Sequence, residues 1–423
     1  MSVPSPLGAA LRRALASPWI LLTLLMLAAL VLRVPGLERF VINENAAPCC
    51  TLGGDESYTL RTALMPLDYI LRLPDSGNMW IFYLFSHFWL QLIGAPSNVG
   101  LRIIPLAFSI ASIPAVYVAV RELVRVIAPR TFWGAERVAF AAAAFLTVHP
   151  MHAYYATDLR SYSATLLVSA CTTYLAARML GTALGGTAPR LRSWILLGIA
   201  HGAAIYLHML SAIYWVALVA VILSVAPLVS RALRTRLAVG AIVSGVAMTL
   251  VASPLLWTVI HVGAKQISWI GPLDPPQAAT FASRLLGGGV LSRDYLQNLP
   301  AAIAVGLLVG GTIVAGRIAA ARAIDRSDLR AQWGWFAPII LVGVPPIIGS
   351  LMSITFTPVL LPRYFISLLI PMALLFALSV ETLAARANAP HPSRNLRRLL
   401  LGATLVGVLV AMLAGYSSPP IQF

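Results

Sequence analysis

Apolar stretches long enough to approach the thickness of a lipid bilayer recur along this sequence, and they limit what it can fold into. A membrane-spanning helix needs about 20 mostly apolar residues, and eleven stretches between the charged clusters fit that description. Only 10% of the 423 residues are charged, and the mean hydropathy is +0.85, which excludes an ordinary water-soluble globule. The sequence predicts an all-α polytopic membrane protein with about eleven transmembrane helices.

Arginine clusters predict how these spans are oriented, because loops rich in Lys and Arg stay on the cytoplasmic side. With the N-terminus in the cytoplasm, 20 of the 30 basic residues lie inside and nine of the 14 acidic residues lie outside. We therefore predict a multi-pass protein of the cell (inner) membrane whose net charge of +16 reflects its topology rather than nucleic-acid binding. The predicted spans are residues 18–34, 103–120, 138–149, 164–177, 194–210, 213–229, 237–260, 301–316, 336–354, 365–380 and 399–416.

The apolar stretch 79–94 is not counted as a span, because counting it would place four arginines between residues 121 and 137 outside. Its Phe and Trp residues suit a helix that lies at headgroup depth. Residues 36–101 then form one long extracytoplasmic loop. We expect residues 1–423 to be a single transmembrane domain with no separate soluble domain.

The segment TLGGDESYTL at residues 51–60 places two adjacent carboxylates, Asp55 and Glu56, in that loop. From Glu56 to Leu71, four leucines recur every three or four residues, a pattern that predicts one apolar helical face. Pro66 is expected to divide or kink this amphipathic helix. Asp55 lies near its start, where the helix dipole favours an ionised carboxylate.

Three further outer segments carry polar side chains. HPMHAYYATDLRSY at 149–162 lies between two spans, the loop 261–300 holds the only lysine, Lys265, and LPRYF at 361–365 precedes a span. No nucleotide-binding glycine motif is present in the sequence.

Together these motifs resemble the GT-C membrane glycosyltransferases of the protein O-mannosyltransferase and aminoarabinose-transferase type. The similarity rests on Asp-Glu at the head of an amphipathic helix, LIGAPSNVGLRIIP at 92–105, LHMLSAIYW at 207–215 and LPRYF. HPMHAYYATDLRSY is similar to a group signature of Pro followed by Tyr-x-x-Glu-x-Arg-x-Tyr, with Asp158 in place of the usual Glu. The resemblance implies a GT-C bundle whose amphipathic-helix loop, 36–101, is catalytic.

The resemblance also implies a reaction: a sugar on a polyprenyl phosphate is transferred, with inversion, to a hydroxyl of a glycolipid, glycan or protein on the outer face. A lipid phosphate leaves as a stable anion, so one carboxylate base and cationic groups suffice. Asp55 is then expected to be the base, and Glu56 to orient the acceptor or back up the site. Donor phosphate is assigned to Arg160, Arg363, Arg102 and Lys265, because guanidinium groups match phosphate oxygens. Substrate contacts are assigned to Tyr58, His152, Tyr155, Asp158, Tyr162, His208 and Tyr364.

Simpler interpretations stay open at this point. Asp55 and Glu56 could only cap their helix, Arg102 and Lys265 could reach outward to lipid headgroups, and Asp158 could pair with Arg160. His149, His152 and His208 could suggest a metal site, but the resemblance implies that no metal or other cofactor is required. The alternative function is a multi-pass transporter or flippase for a lipid-linked or anionic substrate, for which repeated halves and mid-membrane charges would be typical.

Overall fold

The computed structural model describes residues 17–38, 50, 52, 54–72, 79–266, 270, 273–288, 304–390 and 393–414. Within these ranges every regular element is helical. In chain order the α-helices are α1 (Pro18–Leu37), α2 (Gly54–Ala63), α3 (Leu67–Leu71), α4 (Trp80–Ile93), α5 (Asn98–Ile127), α6 (Gly134–Val148), α7 (Pro150–Tyr155), α8 (Tyr162–Leu184), α9 (Leu191–Ile205), α10 (Ser211–Leu223), α11 (Arg231–Gln266), α12 (Pro275–Leu285), α13 (Gly311–Ala321), α14 (Leu329–Thr355), α15 (Leu369–Asn388) and α16 (Arg394–Ala414). A π-helical turn, Gly306–Gly310, leads into α13, and 3-10 turns lie at Ala226–Leu228 and Pro362–Leu368.

Eight of the described helices have the length and apolar composition of a membrane span, so the chain is a multi-pass membrane protein. Three other predicted spans correspond to the shorter helices α6, α9 and α13. The predicted total of about eleven crossings stays a prediction. The helix α4, in the stretch that was not counted as a span, has 14 residues, about 21 Å at 1.5 Å per residue.

Helix α15 lies at the centre of the bundle and is buried along nearly its whole length. It packs against α6, α13, α14 and α16. Phe376 on α15 contacts Phe145 on α6 with ring centroids 4.6 Å apart. In contrast, α16 is exposed along most of its length, as expected for a peripheral helix that faces lipid.

Small residues bring two membrane helices close together where α9 crosses α11. A side chain at Gly198 would overlap the Ser244 carbonyl, and one at Gly202 would lie 2.9 Å from the Met248 carbonyl oxygen. Close backbone approach through glycine is a common way for helices to associate in lipid, where apolar burial between them gains little.

Pro66 separates α2 from α3, which confirms the expected division of the loop helix. The predicted leucine stripe is split by this break: Leu60 is buried, whereas Leu64, Leu67 and Leu71 are exposed. Helix α4 packs against α2, and the His87 Nδ1 lies 2.8 Å from the Ala63 carbonyl oxygen at the end of α2. The position of α4 at the membrane surface stays a prediction.

Candidate active site

Asp55 lies in the first turn of α2 and faces two arginines from distant parts of the chain. Arg363 donates from Nη1 to the Asp55 Oδ2 at 3.2 Å, and the Arg160 Nη2 is 3.9 Å from the same oxygen. Arg160 also donates to the Asp55 carbonyl oxygen at 3.2 Å. The structure therefore brings together the predicted base and the two leading phosphate ligands, which we name the Asp55 cluster.

The cluster is open on the side of the carboxylate. The Asp55 side chain is 53% exposed, whereas the side chains of Arg160 and Arg363 are 15% and 19% exposed. Arg160 comes from the turn between α7 and α8, and Arg363 from the 3-10 turn that leads into α15. Both guanidinium groups are thus held by the helix bundle, while the carboxylate they face lies at its edge.

Aromatic rings form a continuous wall beside the two arginines. Ring centroids are 4.7 Å apart for Tyr155 and Tyr162, 5.7 Å for Tyr162 and His208, and 4.7 Å for His208 and Tyr364. The Arg363 guanidinium lies 5.6 Å from the Tyr364 ring centroid. Four of the predicted substrate-binding residues therefore belong to one row of rings, of which Tyr155, Tyr162 and His208 are at most 6% exposed.

His208 is a neutral member of this wall. Burial, together with the nearby charges of Arg160 and Arg363, lowers the pKa of His208 to about 3. Its Nδ1 is buried without a hydrogen-bond partner among the described residues, and so is the Nε of Arg160.

Tyr58 follows Asp55 by three residues on α2 and is 47% exposed. Its ring centroid is 6.2 Å from that of Tyr83 on α4. Burial raises the pKa of Tyr83, with smaller effects from the charges of Arg160, Tyr58 and Asp55, which shows that Tyr83 belongs to the same neighbourhood. Sequence reasoning missed Tyr83 because it treated the stretch 79–94 only as a membrane-surface helix.

Arg284, in the last turn of α12, is a second residue that sequence reasoning missed. Burial raises the pKa of Tyr155, and the positive charges of Arg363 and Arg284 oppose that rise. Arg284 therefore adds a third positive charge near the wall. The available sequence signal was its position in the predicted outer loop 261–300, at the end of the helix that begins at Pro275.

Glu56 lies in a closed environment, although it follows Asp55 directly. Its carboxylate accepts hydrogen bonds from Arg102 at 3.0 and 2.8 Å and from the Leu159 backbone N–H at 3.0 Å. Arg102 also donates to the Leu37 carbonyl oxygen at 3.1 Å, and both side chains of the ion pair are at most 2% exposed. In this arrangement Glu56 offers no surface to an acceptor and Arg102 none to a phosphate.

His152 lies outside the Asp55 cluster. Its Nδ1 lies 2.8 Å from the Arg33 Nη2 and 3.0 Å from the Leu146 carbonyl oxygen, and its Nε2 lies 3.0 Å from the hydroxyls of Ser109 and Ser112. Burial holds the pKa of His152 well below its usual value. His149 lies 3.1 Å from the Leu285 carbonyl oxygen, and no group of three possible metal ligands occurs among the described residues.

The last two predicted site residues are Asp158 and Lys265. Asp158 is buried, and its charge acts on both Tyr155 and Arg160, so a sugar contact and a pairing with Arg160 both stay open. Lys265 belongs to the last turn of α11, and its side chain lies outside the described part of the chain.

Comparisons with known proteins identify the fold. No protein-family model and no curated protein sequence matches the chain. An oligosaccharyltransferase from Archaeoglobus fulgidus, tethered to an acceptor peptide, superposes with a TM-score of 0.57 and 14% identity over 96% of this chain and 56% of that one. The oligosaccharyltransferase AglB from the same organism, in complex with an inhibitory peptide and a dolichol-phosphate, superposes with a TM-score of 0.57 and 12% identity over 96% of this chain and 56% of that one.

ArnT from Cupriavidus metallidurans, bound to undecaprenyl phosphate, superposes with a TM-score of 0.52 and 15% identity over 95% of this chain and 76% of that one. This chain spans 56% of the length of the archaeal oligosaccharyltransferase, which is just over half. At these identities the comparisons show the fold alone. The chain has the GT-C fold of these membrane proteins, as the sequence resemblance implied.

Proposed function

We propose that this chain is an integral membrane glycosyltransferase that moves a sugar from a polyprenyl-phosphate donor to a hydroxyl acceptor on the extracytoplasmic face. The observation that carries this proposal is the convergence of Arg160 and Arg363 on Asp55. The neighbours of the same fold bound to undecaprenyl phosphate and dolichol-phosphate support a donor of that class. The mannosyltransferase-like subgroup remains a suggestion from the sequence.

In the proposed reaction, the two arginines exchange partners. When the donor enters, its phosphate takes the guanidinium groups that Asp55 holds in its absence, because arginine binds phosphate oxygens in a bidentate manner. The carboxylate then accepts a hydrogen bond from the acceptor hydroxyl. Tyr364, the half-buried member of the aromatic wall, provides a contact for the sugar, whereas Tyr155, Tyr162 and His208 are at most 6% exposed.

Bond formation and cleavage follow from this placement. The acceptor oxygen attacks the anomeric carbon as the bond from that carbon to the phosphate oxygen breaks, and its proton passes to Asp55. The electron pair of the broken bond stays on the phosphate, whose charge the arginines stabilise. Attack opposite to the leaving phosphate inverts the anomeric centre. In this proposal no metal ion takes part.

Glu56 has a different role in the proposal from the one that the sequence suggested. Through Arg102 and the Leu159 N–H it connects α2, α5 and the turn that carries Arg160. We therefore assign Glu56 and Arg102 as positioning residues, which hold Asp55 and Arg160 at a fixed distance without touching substrate.

Mass spectrometry of lipid-linked sugars and outer glycans in cells that lack this protein would test the proposed function. We expect one polyprenyl-phosphate sugar to accumulate and one glycosylated product to disappear, and the wild-type chain, but not Asp55→Asn, to restore both. If the same lipid-linked sugar changes only its side of the membrane, a flippase replaces the transferase. If neither lipid nor glycan changes, the proposal is wrong.

A further inference from the structure

A cavity of about 610 Å³ opens between α13, α15 and α16 and shares no lining residue with the Asp55 cluster. Most of its lining is apolar, with Leu307 and Leu308 on one side and Leu400 on the other. Arg386 and Arg397 are its two charged lining residues. We name this cavity the arginine groove.

The two arginines lie at one end of the groove. Arg386 is in the last turn of α15, and Arg397 is in the first turn of α16. The arginine distribution predicts that these helix ends face the cytoplasm. From Arg397 to Thr404, which also lines the groove, the helix rises about 10 Å. That length fits within one leaflet, whose hydrocarbon is about 15 Å deep, half of the bilayer core.

The interior of the groove has room for an apolar chain. A Cβ atom built at Gly311, in the groove wall, meets no other atom within 4 Å. A gap between membrane helices that is lined mainly by leucine is filled by an acyl chain more readily than by water, because water would find few polar partners there. The arginine end of the groove suits an anionic headgroup. Guanidinium groups bind phosphate, and basic residues attract the anionic lipids of the cytoplasmic leaflet.

We propose that the arginine groove binds one anionic phospholipid of the cytoplasmic leaflet. Its headgroup phosphate contacts Arg386 and Arg397, and one acyl chain lies between α13 and α16. Arg386 donates a hydrogen bond to the Ala319 carbonyl, which fixes its guanidinium at the mouth of the groove. This site is separate from the proposed donor site and does not depend on transferase activity.

Lipid titration of the purified full-length chain in nanodiscs tests the proposal. The probes are phosphatidylglycerol and phosphatidylcholine with identical acyl chains, and retention of each lipid is measured by native mass spectrometry. We expect phosphatidylglycerol to be retained more strongly. Arg397→Gln should weaken its retention roughly tenfold, the low end for the loss of one hydrogen bond to a charged group.

Two matched controls separate the groove from general surface charge. Arg394→Gln removes an exposed arginine from the same helix end, outside the groove, and should leave retention unchanged. Gly311→Leu fills the groove and should displace the lipid, whereas Gly402→Leu, at an exposed position of α16 that also has open space, should not.

Equal retention of the two lipids would overturn the proposal. So would equal effects of Arg394→Gln and Arg397→Gln, because surface charge alone would then explain binding. Retention that survives Gly311→Leu would show that the groove is not the site. A bound polyprenyl phosphate in place of phospholipid would also contradict it.

Discussion

Asp55 and Glu56 are neighbours in the chain, but their surroundings are opposite. The Asp55 carboxylate is 53% exposed and faces Arg363 at 3.2 Å, whereas Glu56 is 2% exposed and is enclosed by Arg102 and the Leu159 N–H. An exposed ion pair is weak and can exchange partners, whereas breaking a buried pair leaves an uncompensated charge. The open pair suits a reacting group, and the closed pair suits a structural connection.

Asp55→Asn tests the open side of this comparison and has the largest expected effect. Asparagine keeps the size of the side chain but cannot accept a proton, and general-base catalysis contributes roughly 100-fold to 10,000-fold. We expect turnover to fall by that factor while binding of undecaprenyl phosphate is retained, measured on one purified preparation. Asp68→Asn, at an exposed carboxylate of α3, is the control. Near-normal turnover of Asp55→Asn would return this residue to a helix cap.

Glu56→Ala tests the closed side. Because Arg102 would stay buried without its carboxylate, we expect the free energy of unfolding to fall by about 3 to 5 kcal/mol. Asp68→Ala breaks the exposed pair with Arg72, whose charged atoms are 3.8 Å apart, and should cost less than about 1 kcal/mol. Unfolding of both variants in the same detergent gives the comparison. Equal losses would show that the buried pair has no special structural role.

Arg363→Ala and Arg160→Ala measure how much the open cluster contributes to donor binding. Loss of one partner of a charged contact costs about 2 to 5 kcal/mol when the contact is buried. We expect a loss of about 2 kcal/mol, which raises the Kd for undecaprenyl phosphate roughly 30-fold, because the cluster is open on the Asp55 side. Arg72→Ala, an exposed arginine of the same loop, should leave the Kd unchanged. Unchanged affinity in both cluster variants would remove these arginines from the donor site.

His208→Gln has the smallest expected effect, a change in how stability depends on pH. The pKa of His208 is about 3 in the folded protein, below its ordinary value of about 6.5. Between these values the unfolded chain binds the additional proton, so stability falls as the pH falls from 6.5 towards 3. The variant should lose the contribution of His208 to this slope, which is about 1.4 kcal/mol per pH unit for one group. Melting temperatures from pH 7.5 to 5 measure it, and an unchanged slope would contradict the buried, neutral state of His208.

The sequence predicted the residues of the Asp55 cluster better than the pairing of Glu56 with Arg102. Asp55, Arg160 and Arg363 lie in separate segments that were predicted to be on the outer face, and family resemblance together with side-chain chemistry was sufficient to group them. Glu56 was assigned to the same site as the second residue of the Asp-Glu pair at the head of the loop helix. Consecutive residues on a helix do not face the same neighbour, and this rule could have separated Glu56 from Asp55.

Contacts between segments that are distant in the chain could not be predicted from local patterns. The pairing of Glu56 with Arg102 depends on how α2 packs against α5, and the positions of Tyr83 and Arg284 depend on α4 and α12. Hydrophobic periodicity reports which face of a helix is apolar, but not which neighbour covers it. The division at Pro66 was predicted correctly because a proline restricts its own backbone and that of the preceding residue.

The central position of α15 has a consequence for biosynthesis. Chains are made from the N-terminus, so α6, α13 and α14 are synthesised before α15, which packs between them, whereas α16 follows it. Arg363 lies only six residues before α15 begins at Leu369. The ribosome therefore delivers the central helix and the second arginine of the Asp55 cluster almost together, and a nascent chain that stops short of them lacks both the centre of the bundle and a complete Asp55 cluster.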